Sequence, residues 1–215
     1  MKELKTAGIG LVVCAIVFFI TIAVWPFIMG PQSTPDTAGG SVARAAHLVA
    51  EKQHYLSLWT AESLAMGILA ACAFVIGFRG PAQVGSPLGW ALLGVGSLAN
   101  IAMYPFVMGS YFVVAEIAAE NVVPYESAKA AAFAIFNIAN ALAFLGLAFV
   151  LLSPQTLLPR WLGVIGGVAG LVTFGGATFG LLTGEDMMIF MGPGALLGYI
   201  LLGIVGVRMV FSREP

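Results

Sequence analysis

The hydrophobic pattern of the chain is six long apolar stretches divided by short polar breaks. The stretches cover about 6–29, 58–78, 88–118, 130–152, 161–183 and 187–209. Each reaches the roughly 20 apolar residues that a helix needs to cross a bilayer. Proline and glycine mark the breaks, at Gly30-Pro31, Arg79-Gly80-Pro81, Ser86-Pro87, Pro124, Ser153-Pro154, Pro159-Arg160 and Thr183-Gly184. These residues stop helices where the chain must turn. The pattern predicts an all-α polytopic membrane bundle, with one transmembrane domain over 1–215. The first stretch follows Lys2 and Lys5 as a signal peptide would, but its length and the lack of a close small-x-small site predict a retained helix.

The longest polar connection, 30–57, divides in two. Residues 32–40 are rich in Pro, Ser, Thr and Gly and predict a loop. From Val42 the spacing predicts one helix running on into the second span, with Ser41 as its cap. The third span is expected to extend toward Glu116 and Glu120. Together these extensions predict a small helical cap on one face.

Composition narrows the class. Hydrophobic residues make up 60% of the 215 and charged residues only 9%, against roughly 25% charged in soluble domains. Mean hydropathy is +1.00. Disordered chains, basic nucleic-acid binders and water-soluble globules are excluded, so no nucleic-acid partner is expected. The net charge of −1 recruits no charged partner by a global field. Cys14 and Cys72 both fall in apolar runs and read as small apolar side chains.

Lysine and arginine set the expected orientation. With the N-terminus in the cytoplasm, Lys2, Lys5, Arg79, Arg160, Arg208 and Arg213 lie inside, and Arg44, Lys52 and Lys129 outside. Both termini are then cytoplasmic and the cap is on the outer face. Trp25, Trp59, Trp90 and Trp161 all fall at span ends, where amphipathic rings favour the interface.

Glycines crowd spans five and six: Gly163, Gly166, Gly167, Gly170, Gly176, Gly180, Gly194 and Gly198. Such spacing lets helices approach closely, either within the chain or at a homo-oligomer or partner-subunit seam. Pro105 and Pro193 lie inside spans and predict kinks. Segments 87–94 and 158–166 are similar at span entries, as parallel repeats or through shared interfacial rules.

The run Leu157-Leu158-Pro159-Arg160-Trp161-Leu162-Gly163-Val164-Ile165-Gly166-Gly167 resembles a segment of a bacterial group of six-helix integral membrane proteins, catalogued as a domain of unknown function. The resemblance covers about a dozen residues. It implies a multipass protein of the bacterial inner membrane and transfers no catalytic residue.

Three polar sets are candidates for chemistry. His47, Glu51 and His54 share one helical face, with Glu62 further along. Imidazoles and carboxylates at this spacing are potential ligands of zinc, copper or iron; the alternative is a solvated helix face or a proton- or partner-sensing group. A site on one helix needs help from Glu116, Glu120 or Asp186. Glu62, one turn below the interface, should face the bundle, as a relay, a substrate contact or a hydrogen-bonded group held through Ser63 or Tyr104. Asn100, Tyr104, Asn137 and Asn140 lie deepest. They either glue spans together, Asn100 against Asn137 or Asn140, or line a polar pocket for a small apolar ligand, a quinone headgroup or a lipid. Met187, Met188 and Met191 read as packing residues, with a soft copper site as the alternative.

Three functions are compatible with these features. One is a non-catalytic membrane subunit or small-molecule- or lipid-binding protein with an outer pocket roofed by 41–57. The others are a metalloprotein or metalloenzyme built on His47, Glu51 and His54, and a small transporter or channel. The deep spans hold no Lys, Arg or Asp, which transport sites commonly use.

Overall fold

The computed structural model describes residues 2–28, 38–81, 84–185 and 187–211. The described residues are helical, with no strand. Helix α1 is Lys2–Ile28, α2 Ala38–Ala50, α3 Lys52–Arg79 and α4 Pro87–Phe106. A π-helical turn, Val107–Tyr111, joins α4 to the short α5, Phe112–Glu116. Then follow α6 Val123–Leu152, α7 Arg160–Thr183 and α8 Met188–Phe211. Six helices are long and apolar enough to cross a membrane, with α4 and α5 forming one continuous rod. The molecule is a multipass membrane protein by this criterion.

The six rods form a closed ring. α1 packs on α3, α3 on α4, α4 on α6, α6 on α7, α7 on α8, and α8 returns to α1. Sequential up-and-down connection suffices to build this, and it leaves the two ends of the chain's described helices, Lys2 and Phe211, on one face. We call this the terminal face, and the opposite one the α2 face. The centre is plugged by rings: Phe18 of α1 stacks on Tyr199 of α8 at 4.1 Å, and Phe144 of α6 meets Tyr199 edge-on at 5.7 Å.

Glycine makes the seams. Lipid tails are as apolar as leucine, so spans associate through close van der Waals contact. Gly8 of α1 and Gly206 of α8 oppose each other, and a Cβ on either would strike the other's carbonyl. On α4 and α6, a Cβ at Gly89 would stand 2.8 Å from the Gly146 carbonyl, and one at Gly146 2.6 Å from the Gly89 carbonyl. Gly96 backs onto Ala139 and Ala143 in the same way. Gly163, Gly166, Gly167 and Gly170 face Leu151, Leu152 and neighbouring residues of α6, or Leu201 of α8. Gly176, Gly180, Gly194 and Gly198 also meet atoms of this chain. All eight glycines of spans five and six named from the sequence are therefore occupied by packing within the chain.

Several expected features take a different form. The helix from 42 into the second span is interrupted at Glu51 (φ −96°, ψ 18°), although His47 O and Glu51 O still accept the amide protons of Glu51 and Tyr55. α2 can then lie on α5 with Ser41, Ala45 and Leu48 buried. It begins at Ala38, so Ser41 is inside the first turn, where its hydroxyl accepts from Arg44 at 3.2 Å. α6 begins at Val123, before the expected 130, with Pro124 in its first turn, where a proline removes no helical bond. The π-turn follows Pro105, whose missing N–H breaks the regular ladder. α8 continues through Pro193.

Trp25, Trp59, Trp90 and Trp161 do sit near helix ends, but only Trp161 is exposed. Trp90 is fully buried and donates to the Val84 carbonyl at 2.8 Å. Its ring locks the α3–α4 turn instead of anchoring to lipid headgroups.

On the terminal face Arg79 pairs with Glu3, joining α3 to α1. Arg160 donates to the Leu152 carbonyl at 2.9 Å and Arg208 to the Leu157 carbonyl at 2.7 Å, fastening the α6–α7 turn. Cys14 and Cys72 are buried and free; Cys14 Sγ donates to the Ala65 carbonyl at 3.2 Å.

Replacing Gly146 by leucine should force α4 from α6 and destabilise the bundle by about 1–3 kcal/mol. Gly175→Ala, where a Cβ meets nothing within 4 Å, should leave stability unchanged. Thermal unfolding of the two variants in detergent checks this.

Candidate functional site

Among the described residues Glu62 is the one buried carboxylate, with 9% of its surface exposed. It lies on α3 one turn after Trp59 and two after Tyr55, on the same face. A carboxylate at this depth is costly unless its oxygens are occupied. Trp25 Nε1 of α1 donates to Oε1 at 2.7 Å. Tyr104 of α4 donates to Oε2 at 3.2 Å. Thr21, one turn before Trp25, lies near the same carboxylate and donates to the Phe18 carbonyl at 3.3 Å. Tyr199 of α8 lies within electrostatic reach. Three spans, α1, α3 and α4, thus meet at one carboxylate.

Aromatic rings close the α2 side of this centre. Trp25 meets Tyr55 edge-on at 5.6 Å and Trp59 at 6.4 Å. Tyr55 and Trp59 are 5.2 Å apart, and Phe112 of α5 follows Trp59 at 5.6 Å. Such offset and edge-to-face pairs are the favoured ring geometries. The Lys52 ammonium stands 5.2 Å over the Phe112 ring and pairs with Glu116 at 3.3 Å. Beside them Tyr111 and Tyr125 stack at 5.1 Å, with their hydroxyls hydrogen-bonded at 3.1 Å.

The four residues read as metal ligands are not brought together. His47 Nε2 donates to the Ile28 carbonyl at 2.7 Å, capping the end of α1, and its ring packs edge-on to Tyr55. His54 Nδ1 and Glu51 form an exposed pair at 2.6 Å. Glu62 is turned into the bundle toward Trp25. Glu116, the proposed helper, is engaged by Lys52. Asp186 lies outside the described residues. Among the described residues no group of three or more His, Cys, Asp or Glu side chains is placed to hold a metal. The two imidazoles are engaged by different partners, His47 by the Ile28 carbonyl and His54 by Glu51. Met191 is buried against Gly176, as packing requires.

The amides behave unevenly. Buried Ser97 and Thr173 satisfy their hydroxyls on the carbonyl one turn back, Leu93 at 2.8 Å and Ala169 at 3.0 Å. Asn140 does likewise, donating to Phe136 at 2.8 Å. Asn100 and Asn137, each 1% exposed, do not. Asn100 Nδ2 and both polar atoms of the Asn137 side chain have no hydrogen-bond partner. The expected bond from Asn100 to Asn137 or Asn140 is absent. Asn137 instead faces α7, where a Cβ at Gly180 would stand 3.1 Å from its Nδ2. Of the proposed polar lining, Tyr104 is tied to Glu62 and Asn140 to its own helix.

Sequence reasoning found Glu62 and its partner Tyr104. It missed Trp25 and Thr21. Their four-residue spacing, which puts a hydroxyl and an indole N–H on one face of α1, was the available signal.

A scan against protein-family models and searches of curated proteins and of solved structures find no match to this chain. The resemblance carried by residues 157–167 is therefore not extended by a family match, and the site is read from its own geometry.

Trp25→Phe keeps the ring but removes the donor to Glu62 Oε1. It should lower stability by about 1–3 kcal/mol, the cost of a buried acceptor left unpaired. His47→Ala should cost about 1 kcal/mol through the Ile28 carbonyl, and His54→Ala less than about 0.5, as an exposed pair. Thermal melts of the three variants rank them.

Proposed function

We propose that this protein is a non-catalytic, multipass membrane binding protein. Its interior takes a small hydrogen-bonding molecule between the spans, on the α2 side of the central ring plug. The observation that carries this reading is the pair of unpartnered amides, Asn100 and Asn137. An unsatisfied buried polar atom costs about 1–3 kcal/mol, and apolar residues of similar size would remove that cost. The neighbouring hydroxyls and Asn140 all solve the same problem within their own helices. A bound molecule with its own donor and acceptor atoms would satisfy the two amides.

The surroundings support this reading. Glycine at 180 lets α7 approach the Asn137 amide closely, since a Cβ there would stand 3.1 Å from its Nδ2. Glu62 and Tyr104 add acidic and phenolic groups in the same half of the bundle. Tyr55 and Trp59 stand 5.2 Å apart on the α2 side of Glu62, which supports placing the binding region in that half of the bundle. The orientation that goes with this reading puts the terminal face in the cytoplasm of a bacterial inner membrane, as the Lys and Arg distribution favours.

Native mass spectrometry after gentle extraction, with lipid and small-molecule analysis of the released fraction, tests the proposal. A retained molecule should be present in the unmodified protein and lost in Asn100→Leu/Asn137→Leu. The same double variant should melt no lower than the parent when both are stripped of ligand, because it removes orphaned amides. Equal retention by the variant, or no retained molecule in either, overturns the proposal. Separately, cysteine at Gln53 should react with a membrane-impermeant maleimide in whole cells and cysteine at Lys5 only after lysis; the reverse pattern overturns the orientation.

A further inference from the structure

Glu62 has hydrogen bonds but no counter-charge. Its donors are an indole and a phenol, both neutral. Among the described residues no Lys, Arg or His forms an ion pair with it. Lys52, on the same helix, is directed to Glu116 and the Phe112 face. A buried anion in a bilayer without a cation is costly, and such residues commonly mark the passage or binding of a positive charge.

What stands next to the carboxyl narrows the kind of charge it would bind. Trp25 donates to the carboxylate from one side and Tyr104 from another, and Tyr55, Trp59 and Phe112 extend a ring cluster from Trp25. Aromatic faces over a carboxylate are the recognition chemistry of substituted ammonium ions, which are weakly hydrated and bind ring quadrupoles. A hard, strongly hydrated divalent ion would need several oxygen ligands, and this box presents one carboxylate with its oxygens already accepting. The outermost ring, Phe112, already carries an ammonium, that of Lys52.

The box is closed as built, with rings 5–6.5 Å apart, so entry requires its walls to part. Both outer walls hang on irregular backbone. Tyr55 and Trp59 follow directly on the break at Glu51, and Phe112 follows the π-turn Val107–Tyr111. Helix irregularities of this kind are where a helix adjusts at least cost.

We propose that Glu62 and the faces of Trp25, Tyr55 and Trp59 form a seat for a lipophilic organic cation, a substituted ammonium, that exchanges there with a proton. The exchange balances simply: the cation enters, the Glu62 carboxyl gives up its proton to water, and charge at the site is conserved. No bond between heavy atoms forms or breaks. This inference rests on the reading of the bundle as a binding protein and adds the place and ligand class. The titratable groups that face Glu62 or its box are Tyr104 from α4, Tyr199 from α8, Tyr55 on α3 itself, His47 from α2, and Lys52 and Glu51 at the rim.

The test uses the purified full chain in lipid nanodiscs, with tetrapropylammonium and tetraphenylphosphonium as probes and tryptophan fluorescence as the readout. Saturable quenching or shift is expected for both cations and not for triphenylphosphine oxide, a neutral aryl analogue. Glu62→Gln, close in shape, should weaken cation binding at least tenfold while its melting curve shows a folded bundle. Where Glu62 is protonated in the free protein, the dissociation constant should rise about tenfold for each unit fall in pH, and Glu62→Gln should remove that slope. His47→Gln should keep the slope, which separates the carboxyl from the imidazole. Cation binding that is absent, or unchanged in Glu62→Gln, or pH-independent in the parent, overturns the seat. Should Glu62→Gln not fold, Trp59→Leu, which removes one face and leaves the carboxylate bonds in place, should still weaken binding several-fold, and unchanged affinity there overturns it too. A molecule retained in the mass spectrum together with failure of every cation would leave the binding protein standing and remove only this ligand class.

Discussion

The bundle depends on backbone touching backbone at glycine. In lipid, no hydrophobic force draws one apolar helix to another, so the gain must come from contact area and short approach. Gly8 against Gly206 closes the ring between its first and last spans. Gly89, Gly96 and Gly146 bring α4 onto α6 along several turns. The run 163–170 does the same for α7 against α6. Once these seams are set, the rotation of each helix about its own axis is set as well. That rotation decides which side chains enter the middle.

The middle is where the polar residues acquire meaning. Ser97, Thr173 and Asn140 satisfy themselves one turn back and need nothing from other spans. Glu62 has no such option, because its own helix offers no free donor at this position. The ring brings it Trp25 from 37 residues away and Tyr104 from 42. Asn100 and Asn137 are left over. The same closeness that makes the seams dry is what makes their unpartnered amides informative, since water cannot reach them freely.

The α2 face shows how small backbone irregularities redirect chemistry. An unbroken helix through Glu51 would stand His47, Glu51 and His54 in one column, as a metal site requires. Before the break α2 lies on α5, and His47 is bonded to the end of α1. The histidines then serve different ends, one capping a carbonyl and one pairing with Glu51 in the open. The π-turn after Pro105 likewise carries Phe112 to the edge of the aromatic cluster.

The sequence by itself determined the six spans, their breaks at Pro and Gly and the all-helical class. Those properties follow from hydropathy and chain geometry within about 20 residues, which are local. It also pointed to Glu62 facing inward and to Tyr104 as a partner, since a carboxylate at that depth has few places to go. The tertiary structure alone decided which faces meet. Trp25, Trp59 and Trp90 lie at span ends, as an interfacial belt would, yet their rings turn inward because the glycine seams fix the helix rotations. Within the spans, four-residue glycine spacing is confined to spans five and six, while the seams of the other spans rest on glycines such as Gly8, Gly89 and Gly146 that carry no such spacing there, so spacing cannot say which two faces will touch. Only the closed ring, in which each seam must be compatible with the next, selects one set of rotations and with it the Glu62 centre.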